Sequence, residues 1–276
     1  RIDPEGHATD LFTQWAVEHL RGRGKADKPF FLYLAYNAPH TPIQPPKDWL
    51  EKVRRREPKM SPKRAALVAL IEHMDHGVGK VMAALQAAGL AGNTLVVFSS
   101  DNGGQTDVGA SNGTLRAGKG TMYEGGLRAP TCALWPGRIA PGSQTDRVAL
   151  SMDLFPTFLD AAGALDACPK DVDGRSVLPT LLGKKPPPED RMLFFTRREG
   201  GPHKGKTADA VLHGDWKLLR NLPGGPLELY NLKDDPREQH DLAAGESRPP
   251  VYDPLAKALN DYIRRHEAVP WQRPEA

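Results

Sequence analysis

Three short loops hold the side chains whose types and spacing could do chemistry. The first follows Val96-Val97-Phe98-Ser99-Ser100, where an apolar, β-branched run ends in Asp101-Asn102-Gly103-Gly104. In open α/β sheets ligands bind just beyond the carboxyl ends of strands, so a polar pair at such an end is a site candidate. Asp101 offers a carboxylate and Asn102 a carbonyl oxygen, both ligands for a hard cation such as calcium. The same four residues also read as a plain Asx-Gly turn. The second loop is Ala38-Pro39-His40-Thr41-Pro42. Its prolines restrain the backbone and hold a titratable imidazole on a stiff support. The third is Asn112-Gly113-Thr114-Leu115-Arg116-Ala117-Gly118-Lys119-Gly120-Thr121, which places Lys119 between glycines as a point charge for an anion. Its glycine and lysine spacing approaches a nucleotide-binding P-loop, but Gly120 stands where that loop needs a Ser or Thr for magnesium. His73 and His76 share a helix at three-residue spacing, roughly opposite the apolar stripe. A solvated face is expected there, and neither is assigned as a metal ligand.

The elements that must position these loops follow from apolar periodicity. Thr9 to Leu20 predicts a helix, and Phe30 to Tyr36 predicts the strand that leads into His40. Prolines up to Pro46 make the next stretch irregular. Ser61-Pro62 is a helix start, with Ser as N-cap and Pro at the first helical position, and Gly89 is its stop. Thr94 to Ser100 reads as a buried parallel strand, Thr131 to Trp135 as another strand, and Asp153 to Ala162 as a short helix. Helix followed by strand argues for a largely parallel sheet. Beyond Pro186-Pro187-Pro188, strand-like pieces at Met192 to Thr196, Ala210 to His213 and Trp216 to Leu219 suit a small antiparallel sheet. A final amphipathic helix carries Leu255, Leu259, Tyr262 and Ile263 on one face. The expected division is residues 1–188 as one α/β portion and 189–276 as a smaller subdomain.

Composition narrows the classes. The 276 residues can bury a full core, and 39% hydrophobic with 26% charged residues is an ordinary globular balance. A net charge of +3 with scattered basic residues gives no reason to expect nucleic acid. The longest apolar runs are of strand length, too short to span a bilayer. Cys132 and Cys168 sit in no zinc or redox spacing.

The loops and their flanks together resemble the sulfatase family. Phe30-Phe31-Leu32-Tyr33-Leu34 with Ala38-Pro39-His40-Thr41-Pro42, and Ser99-Ser100-Asp101-Asn102-Gly103-Gly104, are similar to its segments. So are Leu115-Arg116-Ala117-Gly118-Lys119-Gly120 with Glu124-Gly125-Gly126-Leu127-Arg128-Ala129-Pro130, Ser151-Met152-Asp153-Leu154-Phe155-Pro156-Thr157, and Glu228-Leu229-Tyr230-Asn231-Leu232 with Asp234-Asp235-Pro236-Arg237-Glu238. The match runs in order along nearly the whole chain.

The resemblance implies an alkaline-phosphatase-like α/β fold, a mostly parallel sheet flanked by helices, with a small C-terminal antiparallel sheet and helix. It implies hydrolysis of a sulfate ester, either a small molecule or a sulfated glycan, at a Ca2+ ion by a formylglycine nucleophile. Asp101 and Asn102 would bind the calcium, Lys119 would neutralise a sulfate oxygen, and His40 would contact the sulfate or protonate the leaving oxygen. A periplasmic or secreted location is implied too. The sequence departs from the family at the nucleophile, a Cys or Ser followed by x-Pro-x-Arg. Cys132 leads into Ala-Leu-Trp and Cys168 into Pro-Lys-Asp. An early acidic metal motif is absent as well. The chain therefore reads as the C-terminal portion of a sulfatase with part of an active site, inactive alone. The formylglycine is expected in an upstream segment. The alternatives are a phosphate- or phosphonate-ester hydrolase of the same superfamily, and a truncated, non-catalytic anion-binding protein. Arg197, Arg198 and His203 could face a sugar or aryl group.

Overall fold

A computed structural model describes residues 4–24, 28–187, 190–198, 207–222, 224–245 and 247–266; His203 lies outside them. The main elements in chain order are α1 (Ala8–Arg21), α2 (Lys47–Arg56), α3 (Pro62–Ala87), β1 (Val96–Ser99), α4 (Glu124–Leu127), β2 (Thr131–Leu134), α5 (Leu154–Ala161), α6 (Leu178–Leu181), β3 (Met192–Arg198), β4 (Thr207–His213), β5 (Trp216–Arg220), β6 (Glu228–Asn231) and α7 (Tyr252–His266). They form two compact units. The first is Arg1–Ser99 with Thr131–Pro186, and the second is Ser100–Pro130 with Pro187–Ala276. Residues 100–130 thus group with the residues after Pro186.

The first unit is built on α1 and α3. Ser61 caps α3 by accepting the Arg64 N–H, with Pro62 in the first turn. At its other end Gly89 takes a φ of +72°, its N–H bonds the Gln86 carbonyl, and the Leu90 N–H bonds the Leu85 carbonyl. That pair of bonds is the Schellman arrangement, and the left-handed residue it requires is a glycine. α1 and α3 approach closely at Gly77, where a Cβ would meet Thr13 Oγ1 at 2.5 Å. The unpredicted helix α2 carries Trp49, Leu50 and Val53 among polar residues, and Val53 is buried against Ala65 and Ala69 of α3.

Two expectations for this unit change. Phe30–Tyr36 runs without a strand ladder among the described residues, with Phe31 71% and Tyr33 81% exposed. β1 is neither buried nor in a parallel ladder: it pairs antiparallel with β2, from Val96 opposite Leu134 to Ser99 opposite Thr131, and Phe98 is 39% exposed. The α3–β1 unit prepares β1 for a parallel neighbour, but no described strand lies beside it to form that ladder. His73 is a third change. It is 3% exposed rather than solvated, because α1 covers that side of α3 and Asp10 reaches it, whereas His76 is exposed.

The second unit is a four-stranded antiparallel sheet in the order β3-β4-β5-β6. Alternation sends Val211, Leu218 and Leu229 to one face, where Leu255, Leu259 and Ile263 of α7 cover them. Ala208, Ala210, Leu219 and Tyr230 take the other face, and Met122 from the 100–130 arm covers those. Both faces of the sheet are closed. The arm belongs to this unit because its apolar anchor does.

Candidate functional site

In the second unit the backbone ties the Asp101 loop to the Lys119 loop. The Lys119 N–H donates to the Gly104 carbonyl at 3.1 Å, and the Gly103 N–H donates to the Gly126 carbonyl at 3.0 Å. Asn112 bridges the same strands of chain: its Oδ1 accepts the Gly104 N–H at 2.8 Å, and its Nδ2 donates to the Gly104 and Ala117 carbonyls at 3.0 and 2.8 Å. Glycines are required by this contact. A Cβ on Gly103 would lie 1.9 Å from the Gly125 carbonyl oxygen, and one on Gly118 would lie 2.3 Å from the Gly104 oxygen.

The interlocked loops leave their polar side chains open. The Asp101 carboxylate and Lys119 ammonium are exposed, and among the described residues neither has a hydrogen bond or ion pair. Asn102 is half-buried, and its backbone carbonyl accepts the Ser100 hydroxyl at 3.1 Å, leaving its side-chain amide without a described bond. An acceptor pair and a cation are thus held on one rigid piece of backbone with their bonding capacity unused. The structure brings Asp101, Asn102 and Lys119 together within this unit. His40 stands on a loop of the first unit, between two cis X-Pro bonds. Its Nδ1 bonds the Thr41 carbonyl at 2.7 Å. In the neutral ring Nδ1 is then the donor, which leaves the Nε2 lone pair available.

Behind the Lys119 loop lies a polar cluster that composition does not announce. Lys217 of β5 is fully buried, and its Nζ donates to Glu124 Oε1 and Glu238 Oε1, both at 2.8 Å. Glu238 Oε2 in turn accepts the Glu124 N–H at 2.7 Å. Burial pushes the Glu238 carboxyl above its ordinary value, against the pull of Lys217. Arg116 donates to the Glu238 carbonyl at 2.6 Å and to the Tyr230 hydroxyl at 2.9 Å, and its guanidinium lies 3.8 Å above the Tyr123 ring. Tyr123 and Tyr230 both donate to the Glu228 carboxylate. Burial first, and that carboxylate second, push the Tyr123 hydroxyl up to about 12 and raise Tyr230 as well. Ala117 and Glu238 are the non-glycine described residues with left-handed φ, at +58° and +53°; Glu238 sits in this network and the Ala117 carbonyl accepts from the Asn112 bridge. Such backbone persists only where its surroundings enforce it. One signal for the cluster was in the sequence: strand alternation puts Lys217 on the same face as Leu219, which is a core face.

Arg197 reaches from β3 to the Gly120 carbonyl, beside Lys119. Arg198 and Arg220 are both spent on the buried Asp209. In the first unit the Ser151–Thr157 motif is architectural, since the Asp153 carboxylate accepts the Leu150 and Arg175 N–H groups at 2.8 Å.

Comparisons with known proteins identify the family. A family model described as Sulfatase matches residues 2–164, and one described as N-sulphoglucosamine sulphohydrolase, C-terminal, matches residues 117–265. Human arylsulfatase A is 38% identical over 259 residues, covering 85% of this chain and 48% of its own. A sulfatase of Formosa agariphila is 33% identical over 277 residues, covering 94% and 50%. The crystal structure of Ps i-CgsB in complex with k-i-k-neocarrahexaose superposes with a TM-score of 0.79 at 31% identity, over 99% of this chain and 57% of that one. The chain spans about half the length of the curated relatives it matches.

Proposed function

This chain belongs to the sulfatase family, and from that premise we propose that it supplies the anion-binding lysine and part of the calcium site of a sulfuric-ester hydrolase. The observation that carries the reading is the interlocked pair of loops, which holds the backbones of the Asp101-Asn102 and Lys119 segments together, their side chains having no competing partner among the described residues. In type, a carboxylate and an amide carbonyl fit calcium; in number, they fall short of the six to eight oxygens it takes, so further ligands come from elsewhere. The bound ion would draw charge from the sulfate group. Lys119 neutralises a sulfate oxygen as a fixed point charge, and the Asn112 bridge keeps its backbone in place. With Nδ1–H on the Thr41 carbonyl, His40 when doubly protonated contacts a sulfate oxygen through Nε2–H or passes that proton to the leaving oxygen.

The formylglycine nucleophile belongs to a segment carrying the Cys/Ser-x-Pro-x-Arg motif, which this sequence does not contain. The rest of the protein would also supply neighbours for Phe31, Tyr33 and Phe98 in the first unit. Residues 1–188 form the catalytic α/β portion and 189–276 the small subdomain, with the 100–130 arm lent by the first to the second. The substrate is a small sulfate ester or a sulfated glycan, met in a periplasmic or secreted setting. Among the described residues, no helix is long and apolar enough to cross a membrane.

The test is to express the chain joined to a formylglycine-bearing N-terminal portion and compare nitrophenyl sulfate with nitrophenyl phosphate, with and without calcium. Calcium-dependent turnover that prefers the sulfate is expected. Preference for the phosphate would move the assignment to the phosphoester branch of the superfamily. Calcium and sulfate binding without turnover of either ester would reduce it to anion binding.

A further inference from the structure

We propose that His7, Asp10 and His73 of the first unit form a binding site for one zinc-class divalent ion. His7 precedes α1, Asp10 lies in its first turn, and His73 comes from the middle of α3, so an ion there would bridge two helices. One ring nitrogen from each histidine and a carboxylate oxygen of Asp10 all lie within 4.8 Å of one another. His73 Nε2 and Asp10 Oδ1 are 3.0 Å apart. Two ligand atoms each about 2 Å from a tetrahedral zinc ion are separated by roughly 3.3 Å, so this pair has to open by only a few tenths of an ångström. The His7 and His73 rings meet edge to face, with centroids 4.7 Å apart at 73°.

The existing bonds leave these groups incompletely used. Buried His73 is described with one bond, from Nε2 to Asp10 Oδ1, and an ion between those two atoms takes the place of the shared proton. His7 Nε2 bonds the Gln44 carbonyl at 3.1 Å, and its Nδ1 accepts the Thr9 N–H at a long 3.2 Å. An ion on Nδ1 displaces only the long bond. It retains Nε2–H on a backbone carbonyl, the outer-shell support that metal-bound histidines usually have.

The surroundings select the class of ion. A cavity of about 310 Å³ adjoins Asp10 and His73 and gives access to them. Its other charged groups are Asp48, Lys52 and Lys80, and Lys52 already pairs with Asp48. The two carboxylates and two ammonium groups cancel, so no net field draws in a hard cation such as calcium or magnesium. Two imidazoles with one carboxylate instead match the preferences of zinc, cobalt and nickel, and three protein ligands leave a fourth position for water.

Cobalt(II) titration of the tag-free chain tests this, because tetrahedral cobalt absorbs in the visible without any enzyme assay. One equivalent should give that band, zinc should abolish it by displacement, and either ion should raise the melting temperature. Losing one of three protein ligands should weaken binding by more than the roughly 10–100-fold cost of losing an outer-shell partner. His7→Gln and Asp10→Asn alter residues that are not buried, so each should retain the apo circular dichroism while losing the band and the thermal shift. His76→Gln, in the same cavity, should leave both unchanged. The proposal is overturned if the wild-type chain gives no band with stoichiometric cobalt. It is equally overturned if both ligand variants bind normally, or if His76→Gln weakens binding as much as they do.

Discussion

The two compact units handle apolar surface in opposite ways. In the second, the four-stranded sheet is covered on one face by α7 and on the other by the 100–130 arm, and even its central lysine is sealed inside an ion cluster. In the first, α1 and α2 each pack on α3, while Phe31, Tyr33, Phe98 and Leu134 face outward on or beside short extended segments. Isolated exposed apolar residues are ordinary, but several large ones near unpaired backbone mark a surface shaped for a neighbour. The residues singled out from the sequence fall on different units: Asp101 and Lys119 stand on the closed one and His40 on the open one. A preorganised charge needs a rigid base, and the closed unit provides it.

The largest effect expected is at Lys217. Removing one partner of a buried ion cluster leaves charge uncompensated and typically costs about 3–5 kcal/mol. Lys217→Ala should therefore destabilise the second unit by that order. Hydrogen exchange across β4, β5 and β6 should accelerate while α3 keeps its protection. Equal loss of protection in α3 would show that the two units are one cooperative body and would break the contrast drawn above. Lys217→Met combined with Glu238→Gln should recover part of the loss, since the fully buried carboxylate is removed together with its cation.

Next in size is Lys119. In the enzyme joined to its formylglycine-bearing portion, Lys119→Ala should lower kcat by about 10²–10³, as removal of one preorganised oxyanion donor does elsewhere. Its melting temperature should not change, because the ammonium makes no described contact. His40→Ala should slow an alkyl or sugar sulfate more than nitrophenyl sulfate, because only poor leaving groups need a proton donor. Equal losses on both would leave His40 as a sulfate contact. A smaller, purely structural effect is expected at the open face. Phe31→Ser with Tyr33→Ser should reduce hydrophobic-dye binding and self-association of the chain by itself. No change would show that this surface is not the adhesive one.

Much of this was legible in the sequence because local rules decided it. Ser61-Pro62 and Gly89 mark the ends of α3 through capping chemistry that involves only neighbouring residues. The strands of the second unit follow from alternation. The loops with Asp101 and Lys119 stand out because acids, amides and glycines cluster there without apolar periodicity. What escaped was decided by distant parts of the chain. The fate of Phe30–Tyr36 and β1 depends on which strands lie beside them, and no local pattern states that. His73 appeared solvated because helix periodicity identifies an apolar stripe but not the Asp10 of another helix that covers a polar one. The Lys217 cluster joins residues 93 and 21 positions apart, and no spacing rule connects them.

The smallest effect sharpens the contrast through pH. Tyr123 and Tyr230 donate to the Glu228 carboxylate in the closed unit, with the Tyr123 hydroxyl pushed up to about 12 and that of Tyr230 raised too. In the unfolded chain a tyrosine ionises near 10. Above that pH the unfolded state gives up protons that the folded state still holds, so folding stability falls as pH rises. The contribution is intact below about 10 and is lost through the interval up to the folded values. Urea midpoints for the second unit, followed through hydrogen exchange of β5 and β6, should therefore drop between pH about 9 and pH about 11. Tyr123→Phe should flatten part of that slope. It should also cost about 1–3 kcal/mol at neutral pH, where the hydroxyl's bond to a charged acceptor is lost. A slope unchanged by Tyr123→Phe and by Tyr230→Phe would mean that the hydroxyls are not held by Glu228. The Arg116 and Tyr123 packing behind Lys119 would then need another anchor.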